Sequence, residues 1–220
     1  MRECKVERRS EPKPPIPSRP GTLPLIAAYL VWAFLVIFPS FPVAAGEDLS
    51  GRLLVATTQI GDPRFAKAVI YVLQHDQSGA MGLVINRLVT RWSYKKLLNE
   101  MGEDSTGATT GTLDVFYGGP VEMQRGFVLH SLDYKDGGTQ AISDFSGLTT
   151  SREIVRAIAE GRGPQRFLFI LGYAGWGPGQ LEEEINRQAW ISVDADELLV
   201  LGDDHGEKWR IATAKRGIDL

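Results

Sequence analysis

The sequence predicts an α+β domain, an antiparallel-rich sheet flanked by a few helices, set behind a separate N-terminal segment. Three observations carry this. Segments of strand character outnumber helical ones, several are joined by hairpin-length turns, and 24 of the 220 residues are glycine, a turn-rich composition. Hydrophobic residues at 43% and charged residues at 23% suffice to fill one core. At 220 residues the chain is too short for two large domains.

Residues 1–46 differ from the rest. The first twenty hold six basic side chains, three acidic ones and five prolines between Pro12 and Pro20, so no packed helix forms there. An unbroken apolar run follows, Leu25 to Phe38. As a helix its 14 residues span roughly 21 Å, short of the ~30 Å hydrocarbon layer. Pro39 and Pro42 end it, and Val43-Ala44-Ala45 puts small residues before Gly46. A basic start, a short apolar stretch and a small-residue exit are the pattern of a secretory signal, with cleavage expected at Ala45/Gly46. Retention as an uncleaved membrane anchor is the rival, with membrane contact through residues 23–45. A misassigned start, which leaves the protein cytoplasmic, is the third reading. The expected location is therefore exported, periplasmic or membrane-anchored, and residues 47–220 form one domain.

Along that domain, Arg52–Ile60 reads as a strand. Val69–His75 and Ala80–Asn86 are two more, joined through a turn ending in Gly79. Ser93 to Met101 is a short helix with Ser93 as N-cap and Gly102 at its stop. Strands at Leu113–Tyr117 and Arg125–Leu132 flank Gly118-Gly119-Pro120. A helix begins after Thr150, whose spacing to Glu153 is that of a capping box, and ends at Gly161. Arg166–Leu171 is a buried-type strand that enters a glycine-rich turn and then the acidic helix Gln180–Gln188. Strands at Trp190–Val193 and Leu198–Leu201 and an amphipathic segment, Lys208–Lys215, complete the chain.

Several chemistries are excluded or thinly supported. The one cysteine, Cys4, permits neither a disulfide framework nor a cysteine zinc site. Beyond the leader the chain carries a net charge of −6, because six of the 24 basic and three of the 27 acidic residues lie in the first twenty. Nucleic-acid binding finds no basic cluster there. Gly172, Gly175, Gly177 and Gly179 sit between a strand and a helix, where a phosphate cradle would be. No Walker or dinucleotide spacing accompanies them, and Glu182, Glu183 and Glu184 repel an anion at the helix start. These glycines are therefore read as shaping bends, and no cofactor is expected. His130-Ser131 and His75-Asp76 supply a base, a nucleophile and a carboxylate, so His130 and Asp76 are the catalytic candidates. Ser131 lies outside any G-x-S-x-G elbow, and no catalytic set is assigned. Asp203-Asp204-His205 reads as an acidic turn between glycines, and no metal site is assigned.

The motifs resemble the YqgE/AlgH family of bacterial proteins. The likeness begins at Leu49–Thr57 and Gly61–Phe65, and continues in Val72–Arg87 and Val115–Ser131. It is most specific in Leu171–Ile185 with Ala189-Trp190, and it returns at Lys208-Trp209, Ala212 and Gly217-Ile218-Asp219. Thr58 and Leu88 stand where the family pattern favours proline, and the leader is a third departure. The resemblance implies a compact α+β domain whose antiparallel sheet core is partly barrel-like. Some members carry a transcriptional-regulator label. The resemblance supplies no catalytic residue and no cofactor.

The favoured reading is a non-enzymatic binding or regulatory module with a protein partner. Its expected contact surface lies around Tyr173, Trp176 and the Phe116–Pro120 loop, with Tyr117 at its centre. The alternatives are a hydrolase-type enzyme using His130, Asp76 or Asn86, and a cytosolic transcriptional regulator.

Overall fold

The structure, a computed structural model, describes residues 47–215. The leader, with its expected cleavage site and membrane contact, lies outside the described residues. Among the described residues, no helix is long and apolar enough to cross a membrane.

The mixed α+β architecture is an antiparallel sheet curled into a half-barrel. Its strands are β1 (Leu53–Ala56), β2 (Val69–Asp76), β3 (Gly79–Val84), β4 (Leu88–Ser93), β5 (Thr112–Tyr117), β6 (Val121–Ser131), β7 (Gln140–Ala141), β8 (Ser146–Thr149), β9 (Phe167–Trp176) and β10 (Trp190–Val193). The helices are α1 (Tyr94–Glu100), α2 (Arg152–Ala159), α3 (Gln180–Asn186), α4 (Glu197–Leu201) and α5 (Lys208–Ala214). The main path runs β10-β1-β2-β3-β9-β6-β8-β7, and β4 joins through β5, which lies beside β9. The β5–β9 pair is parallel, while every other pairing among the described residues is antiparallel.

β9 organises the molecule. Its first half pairs with β5, at Val115↔Phe169 through Tyr117↔Leu171, and its second half pairs with β3, at Ala80↔Trp176 through Gly82↔Ala174. Gly172 stands at the changeover with φ +74°, a backbone state open to glycine at no steric cost. This residue shifts the in/out alternation by one. Leu168 and Ile170 before it, and Tyr173 after it, face a single core shared with β1, β2, β5 and β6. Phe169 faces a second cluster with α1 and α2, whereas Ala174 and Trp176 face a third that includes Leu181 of α3. The shared core is the inside of the curl, closed by Leu199, Val200 and Leu201 of α4 and Ala212 of α5. The outer face carries two separate helical layers with β9 running beneath both.

The structure corrects several expectations. The strand expected over Arg52–Ile60 stops at Ala56, because the Thr57 hydroxyl accepts from the Gln59 N–H and donates to Gln188 O, which turns the chain. β4, β7 and β8 were not expected. Ser151, not Thr150, caps α2 and accepts from the Ile154 N–H. The glycine-rich turn is largely strand, since β9 continues to Trp176. Leu198–Leu201 is helical, because the Asp196 carboxylate accepts from the Leu199 N–H at 2.8 Å and starts α4. Ser93 caps α1 as expected, accepting from the Lys96 N–H.

Candidate functional site

The outer face holds a trough of three joined lobes. The widest, of about 740 Å³, lies between α1, α2 and the sheet, with Trp92, Val128, Val155, Phe169 and Leu171 in its walls. A middle lobe of about 400 Å³ is lined by Arg64, Arg87, Val89, Tyr117, Pro120 and Met123. A third, of about 440 Å³, lies beside Phe65, Trp176 and Glu184. Met123 belongs to both the wide and middle lobes, and Arg64 and Pro120 to both the middle and third, so the lobes form one run.

Local backbone builds this trough. In β6 the pairing with β9 jumps from Val121↔Tyr173 to Gly126↔Leu171, so residues 122–125 stand opposite Gly172 alone. Glu122 turns with φ +46°, and the bulge carries Met123 out to 61% exposure. Beneath it, a Cβ on Gly118 would sit 2.2 Å from Gly172 O, and one on Gly119 2.1 Å from Tyr173 C. Three backbones therefore meet where the lobes join. At the edge of β4 a register break between Leu88 and Thr90 pushes Val89 outward to 64% exposure. Leu88, Val89 and Met123 are three of the five large hydrophobic residues exposed among the described residues, so the solvent-facing apolar surface concentrates here.

Arginines frame it. Arg87 donates to Arg64 O and, at 3.0 Å, to Ala66 O. Arg64 forms a two-pronged pair with Asp62, holding the Asp62 carboxyl below its ordinary range. Arg125 reaches Glu122 at 3.1 Å, and Arg152 lies 3.5 Å from Glu103.

The residues expected to carry function are dispersed. His130 is fully buried. Its Nδ1 lies 2.9 Å from Ser131 O, which only accepts, so Nδ1 holds the proton and donates, while Nε2 lies 2.9 Å from the Thr149 hydroxyl. Asp76 is exposed at the far end of β2, its carboxylate spent on Ser78 and Gln74. Those bonds, led by the Ser78 hydroxyl, pull its pKa down to about 2, so it is a poor proton acceptor at neutral pH. β3 and β9 separate their strands, and no hydrolase set forms from them. His75 is also committed: Nδ1 accepts from the Leu49 N–H at 3.2 Å, and Nε2 lies 3.0 Å from Glu182 Oε1. Asn86 accepts from the Val69 N–H and donates to Lys67 O, both at 2.9 Å, a structural clamp. In the Asp203-Asp204-His205 turn, the His205 ring packs edge-on against Phe116 with centroids 4.5 Å apart. Among the described residues, no group of three or more His, Cys, Asp or Glu side chains is arranged to hold a metal ion.

The expected contact surface divides. Trp176 is buried, at 8% exposure, and meets the surface only at the wall of the third lobe. It packs edge-on against Trp190 at 6.0 Å, and both indole N–H groups donate to Glu184 Oε2, at 2.9 and 2.8 Å. Tyr173 points to the opposite face of β9, half-buried and edge-on to Phe127, its hydroxyl 3.4 Å from Glu122 Oε1. Tyr117 lines the middle lobe and Trp176 the third, whereas Tyr173 lines neither. Sequence reasoning missed Arg64, Arg87, Val89 and Met123. Arg64 and Arg87 stand inside the motif blocks Gly61–Phe65 and Val72–Arg87, where they carried no assigned role.

The AlgH-like family model, DUF179, matches residues 53–220. This chain belongs to that family. A UPF0301 protein of Caulobacter vibrioides is 46% identical over 175 residues, covering 79% of this chain and 89% of that protein. One from Bradyrhizobium diazoefficiens is 44% identical over 188 residues, covering 82% and 87%. The solution structure of AlgH from Pseudomonas aeruginosa superposes with a TM-score of 0.66 at 33% identity, covering 82% of this chain and 95% of that one. A Corynebacterium diphtheriae protein shares the fold alone, with a TM-score of 0.59 at 18% identity over 77% of this chain and 87% of that one. The family is one of uncharacterised function, and the trough rather than any motif gives this AlgH-like chain a candidate site.

Proposed function

We propose that this AlgH-like chain is a non-enzymatic binding module that acts at the cell envelope and holds a protein partner in its outer trough. One observation carries the reading. The reachable surface gathers exposed Val89 and Met123 beside Arg64, Arg87 and Tyr117, while His130, His75 and Asp76 are tied into structural bonds elsewhere. An apolar groove with a few polar groups along it is built for recognition. The basic start, the apolar run Leu25–Phe38 and the small residues before Gly46 support export or membrane tethering. The net charge of −6 beyond the leader opposes a gene-regulatory role through DNA contact.

Fractionation of cells expressing the chain with a C-terminal epitope tests location. The epitope is expected in the periplasmic or membrane fraction, and its recovery in the cytosol overturns the envelope assignment. A photo-crosslinking residue at the exposed Gln124, in the wide lobe, tests binding. One defined partner band that disappears with Met123→Asp is expected, and no crosslink under any growth condition overturns the module.

A further inference from the structure

Resting on the binding-module reading, we propose that the middle lobe of the trough is a carboxylate pocket that takes the C-terminal end of a partner polypeptide whose last side chain is apolar. The lobe has about 400 Å³, and no acidic residue lines it. Arg87 is the centre of the argument. The residue is half-buried, and its guanidinium is fixed by two backbone carbonyls, those of Arg64 and Ala66. Among the described residues it has no carboxylate partner. A guanidinium has five N–H donors, so three remain for a ligand, in a planar fork that matches a carboxylate.

A second donor stands in the same lobe. The Tyr117 hydroxyl has no hydrogen-bond partner among the described residues, although its ring is half-buried. Arg64 lies beside both, its own charge largely answered by Asp62. The body of the protein is net negative, yet this lobe presents the Arg87 guanidinium and the Tyr117 phenol, neither paired with a carboxylate. Local charge complementarity therefore selects an anion that the rest of the surface repels.

The walls select what carries that anion. Val89, Pro120 and Met123 stand in the same lobe as the donors, so acid and apolar group must arrive together. A chain end places a carboxylate and an apolar side chain on one carbon atom. An internal Asp or Glu carries its acid on one residue and the nearest apolar side chain on another, so the two do not enter one small lobe as compactly.

The test uses the full-length chain and fluorescence polarisation of a fluorescein-labelled pentapeptide, Gly-Ser-Ala-Leu-Phe. It compares the free acid, the C-terminal amide and N-acetylphenylalanine as competitor. The free acid is expected to bind, and the amide at least about tenfold more weakly. Added salt should weaken the acid and leave the amide nearly unchanged. Val89→Glu places a carboxylate in the lobe at a 64% exposed position, and is expected to lose acid binding about tenfold or more with an unchanged melting temperature. Equal binding of acid and amide, binding indifferent to Val89→Glu, or no binding of the peptide overturns the inference. N-acetylphenylalanine competing as tightly as the peptide overturns the polypeptide part of it. The crosslink from Gln124 reads the wide lobe, so failure of the carboxylate pocket and failure of the binding module are separate results.

Discussion

The two faces of the curled sheet carry opposite kinds of side chain. The inner face buries polar groups in bonds to protein: Tyr71 shares a 2.8 Å bond with Ser146, and Lys208 sits at 2% exposure under α4. His130 lies on the other side of β6, with Val128, and is locked beneath α2 by Ser131 O and Thr149. The outer face is open and carries methionine, valine, tyrosine and arginine around joined clefts. Buried polar groups that are fully bonded to protein specify a fold, whereas reachable ones without partners specify a ligand.

The largest predicted effect tests the point where the faces are joined. In Gly119→Ala the new Cβ would fall 2.1 Å from Tyr173 C, a backbone atom that moves only if β9 leaves its neighbours. A cost of at least about 5 kcal/mol is expected, enough to remove the cooperative transition in urea melts. A normal melt would show that the three-backbone crossing does not hold the two halves of the sheet.

The paired indoles come next. Trp190→Ala removes one of the largest fully buried side chains and leaves the Trp176 indole alone on Glu184. A loss of about 3–5 kcal/mol is expected from the denaturation midpoint. Glu184→Gln keeps the shape and one acceptor oxygen for two N–H donors, and should cost about 1–2 kcal/mol. If Glu184→Gln costs as much as Trp190→Ala, the shared carboxylate and not the packing seals this end of the trough.

The inner face also makes a pH prediction. Lys208 donates to Val200 O at 2.6 Å, and burial pushes its pKa from 10.5 down to about 8. The unfolded chain then holds this proton more tightly than the folded one, so between about pH 8 and 10.5 the unfolded state binds more protons. Stability contributed by this group therefore rises as pH rises through that window. The full span is on the order of 3 kcal/mol. Lys208→Met should flatten that rise relative to the wild type in paired melts. An identical pH slope in the two proteins would place the lysine in water.

Much of the inner face was legible in the sequence and little of the outer site was. The hairpin of β2 and β3 announced itself through its turn, and Ser93 marked the start of α1, because both signals are local. Leu198–Leu201 misled because a four-residue apolar run has no period to tell strand from helix, and the cap at Asp196 decided it. The glycines of β9 misled more instructively. They are turn residues by habit, yet Gly172 serves as a bulge inside a strand, where crossing backbones leave no room for a Cβ. The trough was invisible because Arg64, Arg87, Val89, Tyr117 and Met123 come from four separated stretches, brought together by two register breaks that no spacing encodes.

The smallest predicted effect on stability sharpens the comparison most. Met123 is 61% exposed at the tip of the β6 bulge, and it borders both the wide and the middle lobe. Met123→Ser should change the denaturation midpoint by no more than about 0.5 kcal/mol, because an exposed side chain leaves no cavity behind. The same change should weaken partner crosslinking from Gln124, since the side chain bridges the two lobes. An inner-face residue of equal size cannot show that pair of results, because its loss would appear first in folding. If Met123→Ser instead destabilised the domain by about 2 kcal/mol, the bulge would be a packed part of the fold, and the outer face would lose its claim to be a free surface.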